Sequence, residues 1–325
     1  MIVVTGANGF VGRYLVDRLT HEGFEVLAVV HSSRSAQYYL EEHIPYIVAD
    51  IQSLTNCMKL PKANVNAVVH LAGLLSIDAE GWSAKDYMLV NSLGTRNVME
   101  YCKAAKVPKI IFSQTHSDVN RAKEVVITEQ TPQQFGGTLN EGSPLPYIIS
   151  KIAAQNFVDA YAKELSMQGI SFRLPGIRGF GSRDTHYNCV FHQFIQKAIA
   201  GEPIEIWGDH KTKRDFVYVK DVVNAIVLAL ASTRANGLYN IGSGIGLTIE
   251  DEARAIIKVF SPEDRPSKLV YRTDIEEVRK RSYIFDVSKA MHDFGYCPDF
   301  SYVEGLRDFK REMQMNRFAL LGDRL

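Results

Sequence analysis

Cysteine is scarce in this chain. Four are present in 325 residues (Cys57, Cys102, Cys189 and Cys297), and no two form a C-x-x-C pair. That scatter gives neither a disulfide framework nor a thiolate metal site, and it suits reduced thiols in a cytoplasm. Net charge is also missing: 37 Lys and Arg balance 37 Asp and Glu. Without a basic excess nothing points to nucleic acid or an anionic membrane as partner. No apolar run approaches the ~20 residues that a bilayer-spanning helix needs. The first β-branched run begins at residue 2, so no signal peptide is expected. Repeats, low-complexity tracts and long linkers are absent. What remains is a soluble globular protein of one large unit or two intimate ones, 46% hydrophobic and able to bury a core without disulfides. No metal is expected.

The first thirty residues carry the strongest signal present. Ile2-Val3-Val4 reads as a short strand, and Thr5-Gly6-Ala7-Asn8-Gly9-Phe10-Val11-Gly12 follows at once. Leu15, Val16 and Leu19 then recur at helical spacing, Gly23 marks the helix end, and 24–30 reads as a second buried strand. A glycine-rich turn between strand and helix lets backbone approach a pyrophosphate, and the helix start offers free N–H groups to its charge. Gly6, Asn8, Gly9, Phe10, Val11 and Gly12 are therefore the expected dinucleotide cradle. An isolated glycine pattern is also an ordinary loop; the strand before it and the helix and strand after it favour the cradle.

Strand-like runs at 1–5, 24–30, 44–48, 66–71, 108–113 and 169–174 alternate with helical patterns at 10–22, 34–42, 82–105 and 147–168. Such alternation predicts an α/β fold with a doubly wound parallel sheet, a Rossmann fold, whose site lies at the strand carboxyl ends. Past residue 175 glycine and short loops become frequent, with helical patterns at 186–200, 220–232, 248–259 and 302–314. The expected division is a dinucleotide-binding domain over 1–175, with parts of 210–245 returning to it. Residues 176–325 then form mainly a smaller α/β substrate-binding cap.

Tyr147 and Lys151 are four apart at the start of a long helical pattern, so they share one helix face. A nearby ammonium favours phenolate and would lower a tyrosine pKa from its usual ~10, which suits proton exchange with a sugar or alcohol hydroxyl. The plainer alternative is an exposed helix pair. Thr115 ends the buried run Ile110-Ile111-Phe112-Ser113-Gln114 and is placed to orient the reacting oxygen, or else simply to form a turn.

At this point the chain resembles the extended short-chain dehydrogenase/reductases, the nucleotide-sugar epimerase/dehydratase family. Gly6, Gly9 and Gly12 match its TGxxGxxG. Asp50-Ile51, His70-Leu71-Ala72-Gly73 and Asn91-Ser92-Leu93-Gly94-Thr95-Arg96-Asn97 are similar to its adenine pair, its fourth-strand turn and its N-x-x-G-T-x-N helix. Thr115, Tyr147 and Lys151 fall on its catalytic Ser/Thr, Tyr and Lys. The segment 214–221 (RDFVYVKD), Asn240-Ile241-Gly242-Ser243-Gly244 and Asp286-Val287-Ser288-Lys289-Ala290 match three further motifs. The resemblance implies hydride transfer between a sugar carbon and a nicotinamide, with Tyr147 as acid/base and Lys151 on the ribose. It also implies cofactor contacts from Asp50, Ile51, Leu71, Ala72, Gly73, Asn91, Ser113, Tyr147, Lys151 and Pro175. Substrate contacts are implied for Thr115, Asn188 and Arg214, the last on a diphosphate. A second diphosphate arginine is expected from Arg272, Arg279 or Arg281; Arg279 is adopted, although spacing does not decide. The helices at 82–105 and 147–168 resemble the pair that builds a four-helix bundle in a homodimer.

Three departures qualify the likeness. The second strand ends Val30-His31-Ser32-Ser33-Arg34, without the acid that holds an NAD ribose, and Ser32, Ser33 and Arg34 suit a 2′-phosphate. NAD or NADP is therefore expected, with a lean to NADP. His116-Ser117 replaces the Asp-Glu pair of the family's 4,6-dehydratases, which argues against dehydration. Arg173-Leu174-Pro175-Gly176 lacks the asparagine of the family's Arg-x-x-Asn, and Tyr283 stands near a position that gates bulk at the sugar. The resulting expectation is a nucleotide-sugar epimerase acting at a hexose carbon, C4 by preference, with an NADPH-dependent keto-sugar reductase as alternative. A non-catalytic NADP-binding sensor would typically lack the tyrosine or the lysine; both are present.

Overall fold

The structure is a computed structural model that describes residues 1–32, 36–75, 82–136, 145–181, 190–208, 210–275, 281–315 and 318. The chain opens with β1 (Ile2–Thr5), α1 (Phe10–His21), β2 (Val26–Val30), α2 (Gln37–Glu41), β3 (Tyr46–Val48), α3 (Leu54–Cys57) and β4 (Ala67–His70). Then α4 (Ala84–Tyr87), a π-helical turn at Met88–Leu93 and α5 (Gly94–Ala105) run on without a break into the approach to β5 (Lys109–Thr115). A 3-10 turn at His116–Val119 leads to β6 (Val126–Ile127), α6 (Leu145–Leu165) and β7 (Gln168–Leu174). Next come β8 (Gly176–Arg178), α7 (Val190–Ala200), β9 (Ile204–Trp207), β10 (Arg214–Tyr218), α8 (Val219–Ala231) and β11 (Gly237–Asn240). The chain ends with β12 (Gly246–Leu247), α9 (Ile249–Phe260), β13 (Leu269–Arg272), β14 (Ile284–Phe285), α10 (Ser288–Phe294) and α11 (Tyr302–Met315).

Seven strands form one parallel sheet in the order β11-β7-β5-β4-β1-β2-β3. The central strands are unbroken apolar runs because both faces are covered. On one face Leu15, Val16 and Leu19 of α1 and Val222 and Ile226 of α8 pack with Val4, Ala28 and Ile170. On the other, Val98 and Cys102 of α5 and Ala154 and Val158 of α6 pack with Val3, Val68 and Ile110. Winding reverses between β1 and β4, which opens a crevice at their carboxyl ends.

Six strands fall where the sequence predicts them, within a few residues. The seventh, β11, lies in a stretch whose glycines masked it, and it closes the β7 edge. The helix expected over 82–105 is interrupted by the π turn. A buried lysine tightens the back of the sheet: Lys109 Nζ donates to the carbonyls of Ala229 at 3.0 Å, Leu230 at 2.6 Å and Ser232 at 2.7 Å, capping the end of α8.

The remaining strands make small sheets, β12-β10-β8, β13-β9 and β14-β6. A separate apolar core joins α7, α9 and α11 through Phe194, Ile195, Ile256, Phe260, Leu306 and Phe309. Among the described residues no helix is long and apolar enough to cross a membrane.

Candidate active site

The β1–α1 turn is shaped by what a side chain would hit. Gly6 has φ +69°, and a Cβ there would meet the Ala72 nitrogen at 2.6 Å. A Cβ on Gly12 would lie 2.2 Å from the Gly6 carbonyl oxygen. The turn and the end of β4 therefore touch backbone to backbone. Gly9 caps α1 without any side-chain bond, so the N–H groups of Phe10, Val11 and Gly12 stay open for an anion. Asn8 adds a buried Oδ1 with no partner. These features fit a dinucleotide pyrophosphate.

Neighbouring motifs support the turn. His70 at the end of β4 bridges Thr5 Oγ1 at 2.7 Å and Thr95 Oγ1 at 2.9 Å, with burial and then Lys151 holding its pKa down at about 3. Asn97 donates to the carbonyls of Ile51 and Gln52, both at 3.0 Å, which fixes the Asp50–Ile51 loop. Asp50 itself accepts from the Gln52 backbone at 2.9 Å. Asn91 spends its amide on both backbone groups of Leu74, at 2.7 and 3.2 Å, and on Ser150 Oγ at 3.0 Å. It thus shapes the Leu71-Ala72-Gly73 turn from the side and ties it to α6. Ser32 lies just beyond β2; Ser33 and Arg34 fall outside the described residues. Ser113 is half-buried in β5, and Pro175 is buried between β7 and β8.

Thr115, Tyr147 and Lys151 meet at the carboxyl end of β5. Gln114 sets their register: its Nε2 donates to the Lys151 carbonyl at 3.2 Å and to Gln155 Oε1 at 2.7 Å, while its Oε1 accepts from Thr115 N at 2.8 Å. Ser150 Oγ donates to the Tyr147 carbonyl at 2.7 Å, and Ser92 Oγ to the Ser150 carbonyl at 3.0 Å. The π turn is what presents Asn91 and Ser92 to α6. Tyr147 is 6% exposed, edge-on to Tyr87, with the Thr115 hydroxyl close enough to ease its ionisation. Lys151 is 7% exposed, its Nζ 4.3 Å from the centre of the Phe112 ring. No described residue accepts a hydrogen bond from that Nζ.

The electrostatics depart from the sequence expectation. Burial pushes the Tyr147 phenol up to about 12 and the Lys151 ammonium down to about 7. With protein groups alone, desolvation outweighs the attraction expected between phenolate and ammonium.

The opposite wall comes from distant segments. The His116 ring stacks on Tyr283, centroids 5.1 Å apart at 29°, and the Arg214 guanidinium lies 6.0 Å from the Tyr283 centroid. Asp215 anchors this wall, accepting from Ser243 N at 2.9 Å, Ser243 Oγ at 2.6 Å, Phe285 N at 3.0 Å and Gly244 N at 3.1 Å. Arg281 sits beside Arg214, whose charge joins burial in lowering its pKa. Two Arg281 nitrogens donate to the carbonyls of Val119 at 2.5 Å and Glu124 at 3.0 Å, and its Nε is buried without a partner. Arg272 instead pairs with Asp274 at 2.8 Å on the surface. Arg279 and Asn188 lie outside the described residues. Behind the wall Arg173, 1% exposed, pairs with the buried Asp118 at 2.9 Å.

The model of the NAD dependent epimerase/dehydratase family matches residues 2–242. The chain belongs to that family. It is 27% identical over 316 residues to a UDP-N-acetyl-alpha-D-glucosaminuronate decarboxylase from Bacillus cytotoxicus, covering 94% of this chain and 95% of the relative. The Thermotoga maritima UDP-glucose 4-epimerase, solved with UDP-glucose, superposes with TM-score 0.80 at 25% identity over 97% of this chain and 99% of that one. MoeE5, solved with UDP-glucuronic acid and NAD, gives TM-score 0.75 at 27% identity, covering 97% and 99%.

Several members of the constellation were invisible as such in the sequence. Gln114 and Ser150 carry the register of Thr115, Tyr147 and Lys151, yet neither stands out from the polar residues beside it, Ser113 and Thr115 for the one and Lys151 for the other. Their only signal is that each would be buried, and a buried polar side chain must find partners. Arg281 is signalled only as one of three nearby arginines.

Proposed function

We propose that this chain is an NAD(P)-dependent nucleotide-sugar epimerase that acts by reversible hydride transfer at a hexose carbon, C4 by preference. The observation carrying the reading is Lys151: a buried amine with no acceptor among the described residues, one helical turn from Tyr147 and next to the glycine-lined crevice. Bound NAD(P) supplies the acceptor and donor of the hydride. Lys151 offers its N–H donors to ribose hydroxyls, regains charge in their company, and then eases the ionisation of Tyr147. Thr115 fixes the sugar hydroxyl, and Tyr147 takes and returns its proton. Arg214, with Arg281 beside it, holds the diphosphate.

Supporting the choice within the family, His116 and Ser117 follow Thr115 with no carboxylate pair for eliminating water. A keto-sugar reductase using NADPH is the second reading, favoured by the lack of an acid after Val30. Denaturing the purified protein and weighing what is released separates the two. Retained NAD supports the epimerase, and NADP lost on dilution supports the reductase. No cofactor binding in either form would overturn both.

The same reading assigns residues 176–325 mainly to a substrate cap, with parts of 210–245 returning to the dinucleotide-binding domain. It also pairs two copies through the helices of 82–105 and α6, where Met88, Leu93 and Ile149 are 40%, 41% and 41% exposed. Light scattering at micromolar concentration should give the mass of a dimer; a monomer mass would reject the pairing.

A further inference from the structure

His116 follows Thr115 directly, and the reading above gives it no task. Its Nδ1 lies 3.2 Å from the Leu174 carbonyl oxygen. A carbonyl only accepts, so Nδ1 carries the hydrogen and Nε2 the lone pair. Stacking on Tyr283 fixes the plane of the ring. The residue is not fully buried, and no described residue bonds Nε2. Burial, joined by the charges of Arg214, Arg281 and Arg173, holds its pKa down at about 4. The remaining ionisable neighbours are Tyr283, which stacks, and Asp118 on the same turn, which is committed to Arg173. His116 is thus a neutral, oriented acceptor beside the catalytic hydroxyl, with no proton at Nε2 to give near pH 7.

Resting on the nucleotide-sugar reading, we propose that His116 Nε2 accepts a hydrogen bond from a substrate hydroxyl other than the one Tyr147 deprotonates. The residue thereby selects sugars that carry that hydroxyl. Losing one such bond, with the acceptor left unfilled, weakens turnover by ~10–100-fold.

The test uses the intact holoenzyme and a series of UDP-hexoses, each lacking one hydroxyl (2-, 3- or 6-deoxy). One deoxy sugar should fall ~10–100-fold in kcat/KM with the native enzyme. His116→Leu should lower the parent sugar by a similar factor and leave that deoxy sugar unchanged, which also shows the variant is folded. His116→Gln, whose amide oxygen accepts, should recover part of the loss. The pH profile between 6 and 8 should not change in either variant. If the native enzyme is indifferent to every deletion, or if His116→Leu lowers all sugars equally, the proposal fails while the epimerase reading stands. Turnover of no nucleotide sugar at all would overturn both.

Discussion

At the β1–α1 turn the molecule works with backbone. Glycines let main-chain atoms touch, and N–H groups face the crevice. At the His116–Tyr283–Arg214 wall it works with side chains from three segments, stacked on one another and tied down by Asp215. A backbone cradle recognises what dinucleotides share. A side-chain wall varies one residue at a time without disturbing the sheet, so under the proposed function cofactor use belongs to the fold and sugar choice to the wall.

The division has consequences of graded size. Tyr147→Phe removes the proposed proton carrier between the two sides, and turnover should fall by ~100–10,000-fold. Mass spectrometry should still find cofactor on the variant; its loss would mean that the two sides are not separable. Arg173→Met strands the buried Asp118 carboxylate behind the wall and should destabilise the fold by about 3–5 kcal/mol. In denaturant titrations that loss should appear with cofactor affinity largely kept. Gly12→Ala forces a Cβ against the Gly6 carbonyl and should cost about 1–3 kcal/mol. Here the affinity for dinucleotide, followed by fluorescence, should fall first, the mirror image of Arg173→Met.

Proton linkage adds a slope of comparable size to the glycine effect. Lys151 has its folded pKa at about 7, below its ordinary value near ~10.4. Between those values the unfolded chain binds the proton and the folded chain does not. Stability without cofactor should therefore rise with pH across that window, by up to about 1.4 kcal/mol per pH unit. Lys151→Met should flatten the rise; urea unfolding at pH 7 and pH 9 measures it.

The sheet and the glycine turn were legible because their causes are local. Strands covered on both faces must be apolar, and the turn at Gly6 and Gly12 leaves no room for a Cβ. Tyr147 and Lys151 were legible as a pair because one helix turn joins them. The phenol's high pKa was not, since desolvation depends on what surrounds the helix. Nor did any local pattern join His116 to Tyr283, 167 positions later, or Arg281 to Val119. β11 escaped notice because four residues that begin on Gly237 carry too little hydrophobic pattern to mark a strand.

That late strand also bears on how the protein is made. Until residues 237–240 leave the ribosome, β7 has β5 on one side and nothing on the other, with Ile170 and Phe172 along it. An open apolar edge of that kind invites pairing with a second nascent chain. A fragment stopped near residue 175 should therefore precipitate when expressed, even though it holds the whole glycine turn, Tyr147 and Lys151.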